Sequence, residues 1–383
     1  MEKRISNRQL FFLVFVIISG FTMISIPKIM ANSAGTGAWI PISIGMIVFS
    51  LIISMVISLN SMFKGETLFE YSTKLVGKPL TYVFTIIYMF YFYVVASMII
   101  RANSELVKLE LLPKTPIWVT VITIIFFATY AASKGLTNVG RIMEFFGTII
   151  IAFYILLVVI MLIYGDWLNT LPLFDSKEIP SYIKALPLTI MPFLGFEIIT
   201  VVPITGKNKK AIRYGTGAII SAGILYILAV YGTYEVLGSE DTGNYGNAFL
   251  AAVRRVEIDM FQFLKRLDIV SFAVWLFAIF SSSTIIIYTL SEYTAKLFPK
   301  TKGKTILILI AFFIFIATFI PKDIAAVNKI FDYLTTYFGV LPVLIIPSIL
   351  FITAKVKKNK REKEDGIPIL KNADGNTNDK ETM

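Results

Sequence analysis

The feature that most constrains this chain is a succession of ten apolar segments, each near the ~20 residues that an α-helix needs to cross a hydrocarbon core of ~30 Å. They lie near residues 10–31, 38–60, 80–101, 116–133, 142–164, 184–204, 214–237, 268–291, 304–321 and 332–354. Inside lipid every backbone N–H and C=O must find its partner within the protein, so segments of this kind are helices. The expected fold is an all-α integral membrane protein with ten transmembrane helices.

A net charge of +11 raises nucleic acid as a partner, but the placement of the basic residues points to the bilayer instead. Of 36 Lys and Arg, 22 fall in alternate polar segments, those carrying Arg8, Lys74, Arg141, Lys210, Lys302 and Lys358, against 12 in the intervening ones. Positive charge concentrates on the cytoplasmic side, so both termini are expected there and no nucleic acid partner is expected. Ala31, Ser33 and Ala34 have the spacing that a signal peptidase reads. However, the first span exceeds the ~7–15 residues of a signal h-region, and Pro27 and Lys28 interrupt its end. Its retention is expected.

Ten spans divide into five and five, and an odd number per half makes the second half cross in the opposite sense, the arithmetic of an inverted repeat. The expected organisation is a membrane domain over 1–354, with repeats of about 8–164 and 184–354 and an outer loop and helix over 238–267. A polar tail over 355–383 reads as disordered and cytoplasmic. Ser6 and Gln9 have capping-box spacing ahead of the first span.

Helix breakers recur at corresponding places in the two halves. The first span contains SGFTMISIP, ending at Pro27, and the sixth contains LPLTIMPFLGFEIITVVP, with Pro192, Gly195 and Pro203. Proline removes a donor and clashes with the preceding turn, while glycine adds backbone freedom. Both spans are expected to be interrupted near mid-membrane, where freed backbone groups are tolerated only inside protein or beside a cavity. Such groups suit the carboxylate and ammonium of a small zwitterion. Simple proline kinks are the plainer reading of the same residues.

Glu197 sits near the middle of the sixth span, where an ionised side chain costs roughly 2.5 kcal/mol or more, so it is expected to be partnered or functional. It is also the candidate for proton or conformational coupling. Tyr88, Tyr91 and Val95 share one face of the third span, and buried tyrosine hydroxyls need partners. The eighth span carries Ser281, Ser282, Ser283 and Thr284 in succession; such hydroxyls bond back to their own helix or bridge to another, and Ser283 and Thr284 are the candidates to face inward. Arg101, Glu105, Glu144, Glu235 and Glu292 fall near predicted span ends, where solvation explains them. The chain has no histidine and no cysteine, which removes imidazole bases, thiolate nucleophiles and the usual zinc ligands. No nucleotide loop or nucleophile elbow is present. An enzyme is not expected, and neither a cofactor nor a metal is called for.

The stretches ISNRQL, SIPKIM, EYSTKLVGKPL, LLPKTPIW and FLGFE, in this order along the chain, resemble the spore germination permease family, the B subunits of bacterial germinant receptors within the amino acid–polyamine–organocation superfamily. The resemblance implies a LeuT-like 5+5 inverted repeat with broken helices 1 and 6. It also implies a nutrient ligand, often an amino acid, and partners in an A subunit and a lipoprotein C subunit in the spore inner membrane. Carried onto this chain, the ligand site would comprise Gly20, Phe21, Thr22, Tyr91, Val95, Leu194, Gly195, Ser283 and Thr284. Phe21 stands beside Gly20 where many superfamily members have a more glycine-rich break. The expected role is a non-enzymatic nutrient sensor that signals to partner subunits to start germination; the alternative is an amino-acid permease, proton-coupled through Glu197.

Overall fold

The computed structural model describes residues 5–204, 209–256 and 267–364. Among them, six helical segments are long and apolar enough to cross a membrane: Trp39–Met62, Lys78–Glu110, Leu136–Tyr164, Ser176–Val201, Lys209–Leu237 and Ile269–Leu297. Three shorter apolar helices, Asn7–Gly20, Ile117–Ala132 and Gly303–Thr318, and an interrupted last segment that begins at Ile324 complete ten crossings. The protein is a multi-pass membrane protein. Its surface is inverted relative to a water-soluble fold: Leu51, Phe126, Ile308 and Phe312 are exposed on the outside, while Asn60, Thr85, Asn103 and Glu197 are buried within.

The sequence fixes where several helices begin. Ser6 accepts a bond from the Gln9 amide at 3.1 Å and Gln9 Oε1 accepts from the Ser6 amide at 3.0 Å, the reciprocal cap expected from the spacing. Thr67 and Glu70 form a second capping box at the short helix Leu68–Val76. Gly77, at φ 85°, then turns the chain into the third span, which starts at Lys78 with Pro79 in its first turn.

The first span sits centrally, against the fifth, seventh and eighth spans. It is two helices, Asn7–Thr22 and Ile26–Ala34, with Pro27 in the first turn of the second. The sixth span is a series of short turns, the first two opened by a proline: Ile179–Ala185, Leu186–Thr189, Ile190–Phe193 and Phe196–Val201. The tenth runs Ile324–Tyr333, through two π-helical turns, into Ile346–Glu364.

Three expectations need correcting. The last helix continues to Glu364, so the tail does not become irregular at 355: Lys, Arg and Glu are good helix formers and extend the helix beyond its apolar part. Residues 365–383 lie outside the described residues. Arg101 does not lie at a solvated span end, because the third span runs on to Glu110. It is buried, bonded to Glu105 at 2.8 Å and seated over the Phe319 ring. In the outer segment, SEDT forms a helical turn, Ser239–Thr242, rather than open loop. Helix Ala248–Arg255 follows, tied to the third span by Arg254 and Glu110 at 2.8 Å; residues 257–266 of the expected outer helix lie outside the described residues.

Candidate functional site

The two interruptions differ in depth. In the first span Met23 and Ser25 keep helical dihedrals, and the gap is one turn closed by the Ser25 amide donating to Thr22 O at 3.1 Å. In the sixth span Leu194 is extended at φ −70°, ψ 156°, and Gly195 is left-handed at φ 113°, a conformation that favours glycine. Pro192 lies two residues before this opening and Pro203 just beyond the last turn, so proline and glycine together remove the helical ladder around Leu194.

Glu197 closes the opening. Its Oε2 accepts the Gly195 amide at 2.6 Å and its Oε1 accepts the Tyr91 hydroxyl at 2.5 Å, with the residue 1% exposed. A buried carboxylate needs such donors, and here they come from its own break and from the third span. Asn60 of the second span donates to Ile199 O at 2.9 Å, holding the far side of the same segment. Tyr88 donates to Pro342 O at 2.5 Å in the second π turn, so the two expected tyrosines anchor different spans.

Beside Gly195 lies a cavity of about 40 Å³, roughly three times what one buried water requires on such a measure, ~10–15 Å³. The first span contributes Ile17 and Thr22, the third Tyr91, Phe92, Val95 and Ile99, the sixth Met191, Leu194 and Gly195, the eighth Ile286 and the tenth Phe331. Five of the expected ligand residues, Thr22, Tyr91, Val95, Leu194 and Gly195, are therefore brought together.

Three are not. Gly20 is inside the first helix, and a Cβ there would come within 2.6 Å of Ser282 Oγ and 3.3 Å of Ala278 O; its service is close approach of the first and eighth spans. Thr284 spends its hydroxyl on Phe280 O at 2.7 Å, and Ser283 is buried with no hydroxyl partner among the described residues. The serine run lies along the seam with the first span, where Ser282 Oγ reaches Val16 O at 3.3 Å. The eighth span meets the cavity at Ile286 instead. Phe21 belongs to the first helix, and its side chain lies outside the described residues.

Sequence reading also passed over Tyr226 of the seventh span. Its hydroxyl lies 2.8 Å from Ile18 O and 2.9 Å from Pro192 O, sharing its hydrogen between the last turn before each interruption. A tyrosine midway along an apolar span, apart from those nearer its ends, is the available signal. No group of three or more acidic residues that could hold a metal occurs among the described residues.

The family model described as "Spore germination protein" matches residues 4–327 of the chain. The chain belongs to the spore germination protein family. Curated relatives of this family member from Bacillus subtilis (strain 168) include spore germination protein YndE, 26% identical over 80% of this chain and 85% of the relative. Spore germination protein KB is 25% identical over 96% and 99%. Spore germination protein GerQB of Bacillus cereus is 22% identical over 93% and 98%.

Among solved structures, this spore germination protein is similar to MhsT in complex with L-phenylalanine, with a TM-score of 0.69 and 13% identity over 88% of this chain and 87% of that one. It is also similar to a substrate-bound Na⁺-coupled sialic acid symporter, with a TM-score of 0.64 and 14% identity over 89% and 79%. At such identities the likeness is one of fold, and the fold is LeuT-like, with broken helices 1 and 6.

Proposed function

We propose that this chain is the nutrient-reading subunit of a spore germinant receptor, and that a small amino acid binds in the cavity between the first, third, sixth, eighth and tenth spans. The observation that carries the reading is the conjunction of family membership with a partly enclosed, mostly apolar cavity at the break of the sixth span. Thr22 and Tyr91 supply the polar contacts, and Ile286, Val95 and Phe331 fit an aliphatic side chain. Solved structures of the same fold hold an amino acid or another substrate, which supports a small-molecule ligand here. Binding would shift the bundle between conformations in proportion to its differential affinity for them, and an A-type membrane subunit and a lipoprotein C subunit would pass that shift on. The expected place is the spore inner membrane, with both termini cytoplasmic.

The second reading is an amino-acid permease coupled to protons through Glu197; likeness of fold to a Na⁺-coupled symporter supports transport, and the buried Glu197 is the candidate for the proton. One experiment separates the two: the nutrient concentration–response of spores carrying Leu194→Ala or Ile286→Ala, with Thr284→Ala as a control outside the cavity and subunit levels followed by immunoblot. A methylene in such a pocket is worth ~1–3 kcal/mol, so tenfold or larger shifts are expected for the first two and a small one for the control. Unchanged germination with reduced amino-acid uptake in vesicles would establish the permease reading and remove the sensor.

A further inference from the structure

A second and larger cavity lies away from the central site. It is a crevice of about 650 Å³ between the third, eighth and ninth spans, within the ~300–1,000 Å³ of pockets that take drug-sized ligands. Its walls include Met89, Ile306, Ile310 and Phe313. Two of its three hydroxyls spend their hydrogen on backbone, Tyr93 on Phe313 O at 2.6 Å and Thr294 on Leu290 O at 2.7 Å, and the third, Thr301, stands at the loop end. Past Thr301 a guest meets walls that are almost wholly apolar, which suit a hydrocarbon chain.

The crevice has a direction. One end is at Phe298 and Thr301 in the loop between the eighth and ninth spans, and it reaches Phe313, ten residues along the helix from Gly303. At ~1.5 Å rise per residue this is roughly 15 Å, the depth of one leaflet of a ~30 Å core. The same loop carries Lys300 and Lys302, with Lys304 at the start of the ninth span. All three are exposed, and none is ion-paired among the described residues, whereas neighbouring Lys296 is paired with Glu70. An apolar slot one leaflet deep under three free cations has the two halves of an amphiphile's complement.

We infer that this crevice is a binding site for an anionic phospholipid, one acyl chain lying between the third and ninth spans and the phosphate meeting Lys300, Lys302 and Lys304. Basic residues at a membrane surface attract anionic lipid by ~1 kcal/mol each, so the site selects the headgroup by charge and the chain by shape. The site is independent of the central cavity and does not require the sensor reading.

The test uses the full chain, purified and reconstituted in vesicles of phosphatidylcholine with or without phosphatidylglycerol, with retained lipids counted by native mass spectrometry. Retention of phosphatidylglycerol over phosphatidylcholine is expected, falling roughly fivefold for each of Lys300→Gln, Lys302→Gln and Lys304→Gln. Ile86→Trp at the crevice wall is expected to displace the lipid while the thermal unfolding midpoint holds. Equal retention of both lipids overturns the proposal. So does an equal loss of preference on neutralising Lys108, Lys114 and Lys322 at the opposite ends of the spans, which would mark general charge attraction. A photo-crosslinker at Leu309 that captures a protein segment and no lipid would assign the crevice to a partner subunit and overturn it as well.

Discussion

Tyr91 donates its hydroxyl hydrogen to Glu197 Oε1 at 2.5 Å, joining the middle of the third span to the break in the sixth. The other carboxylate oxygen holds the Gly195 amide, so one buried side chain fixes both the backbone of the opening and a wall of the cavity. Side-chain hydrogen bonds between membrane helices average ~0.6 kcal/mol and reach ~1.7 kcal/mol. Tyr91→Phe is therefore expected to shift the nutrient concentration giving half-maximal germination by roughly three- to twentyfold. Combined with Glu197→Gln, the two effects should be less than additive, because either change disturbs the same bond. Full additivity in the spore response would mean that the two residues act separately.

Gly195 presents two separate obstacles to a side chain, one of backbone conformation and one of space. Its φ of 113° lies outside the range that L-residues adopt easily, and a Cβ would stand 2.9 Å from Ile17 Cγ1. Gly195→Ala is expected to destabilise the solubilised protein by about 2 kcal/mol or more, read as a lower thermal unfolding midpoint. Adding Ile17→Ala should recover part of the loss by removing the contact, and the dihedral strain should keep the rest.

Gly20 gives a different signature. Gly20→Ala forces its new methyl group against Ser282 Oγ and toward Ala278 O, which separates the first and eighth spans. Stability should fall while the rank order of effective nutrients stays the same. Ser282→Ala in the same chain should restore part of the stability, since the closest clash is with its hydroxyl. A changed rank order in stable protein would return Gly20 to the ligand site.

Glu70 lies on the face of the bundle where the first span begins, bonded to Lys296 at the end of the eighth span and to Thr67. Burial pushes its carboxyl up, but the bonds from Lys296 and Thr67 outweigh that and hold it below the ordinary carboxylate value. A carboxyl depressed in the folded state contributes stability above its unfolded value, near ~4.3, and loses it as pH falls through the folded value. The difference in unfolding midpoint between the parent and Glu70→Gln should therefore be present at neutral pH and vanish in acid. A difference that grew on acidification would reverse the sign argued here.

Much of this site was legible because its residues are costly where they stand. A glutamate at mid-span, a proline and glycine around it, and tyrosines far from the interface each demand a local account in lipid, which singled out Glu197, Pro192, Gly195, Tyr88 and Tyr91. The cavity's apolar walls make no such demand: Met191, Ile286 and Phe331 look like any other residue of an apolar span, and only the packing shows that they face inward. Gly20 was ambiguous for a related reason. A glycine within a span either loosens the helix or lets another approach, and the answer lies in Ser282, on a distant part of the chain. Arg101 reads from the sequence as the end of the third span because a charge is costly in lipid, whereas Glu105 and the Phe319 ring let the helix continue past it.

The seventh span carries no break and lines no part of the central cavity, yet the Tyr226 hydroxyl bonds to both Ile18 and Pro192. The two discontinuous helices already pack against each other beside Ile17 and Gly195, and this bond adds a polar tie between their backbones. With one hydrogen shared between them, a displacement of either half-helix alone weakens the contact on one side, while a concerted displacement keeps both. The bond thus favours movements in which the two interrupted helices travel together over movements of either one alone.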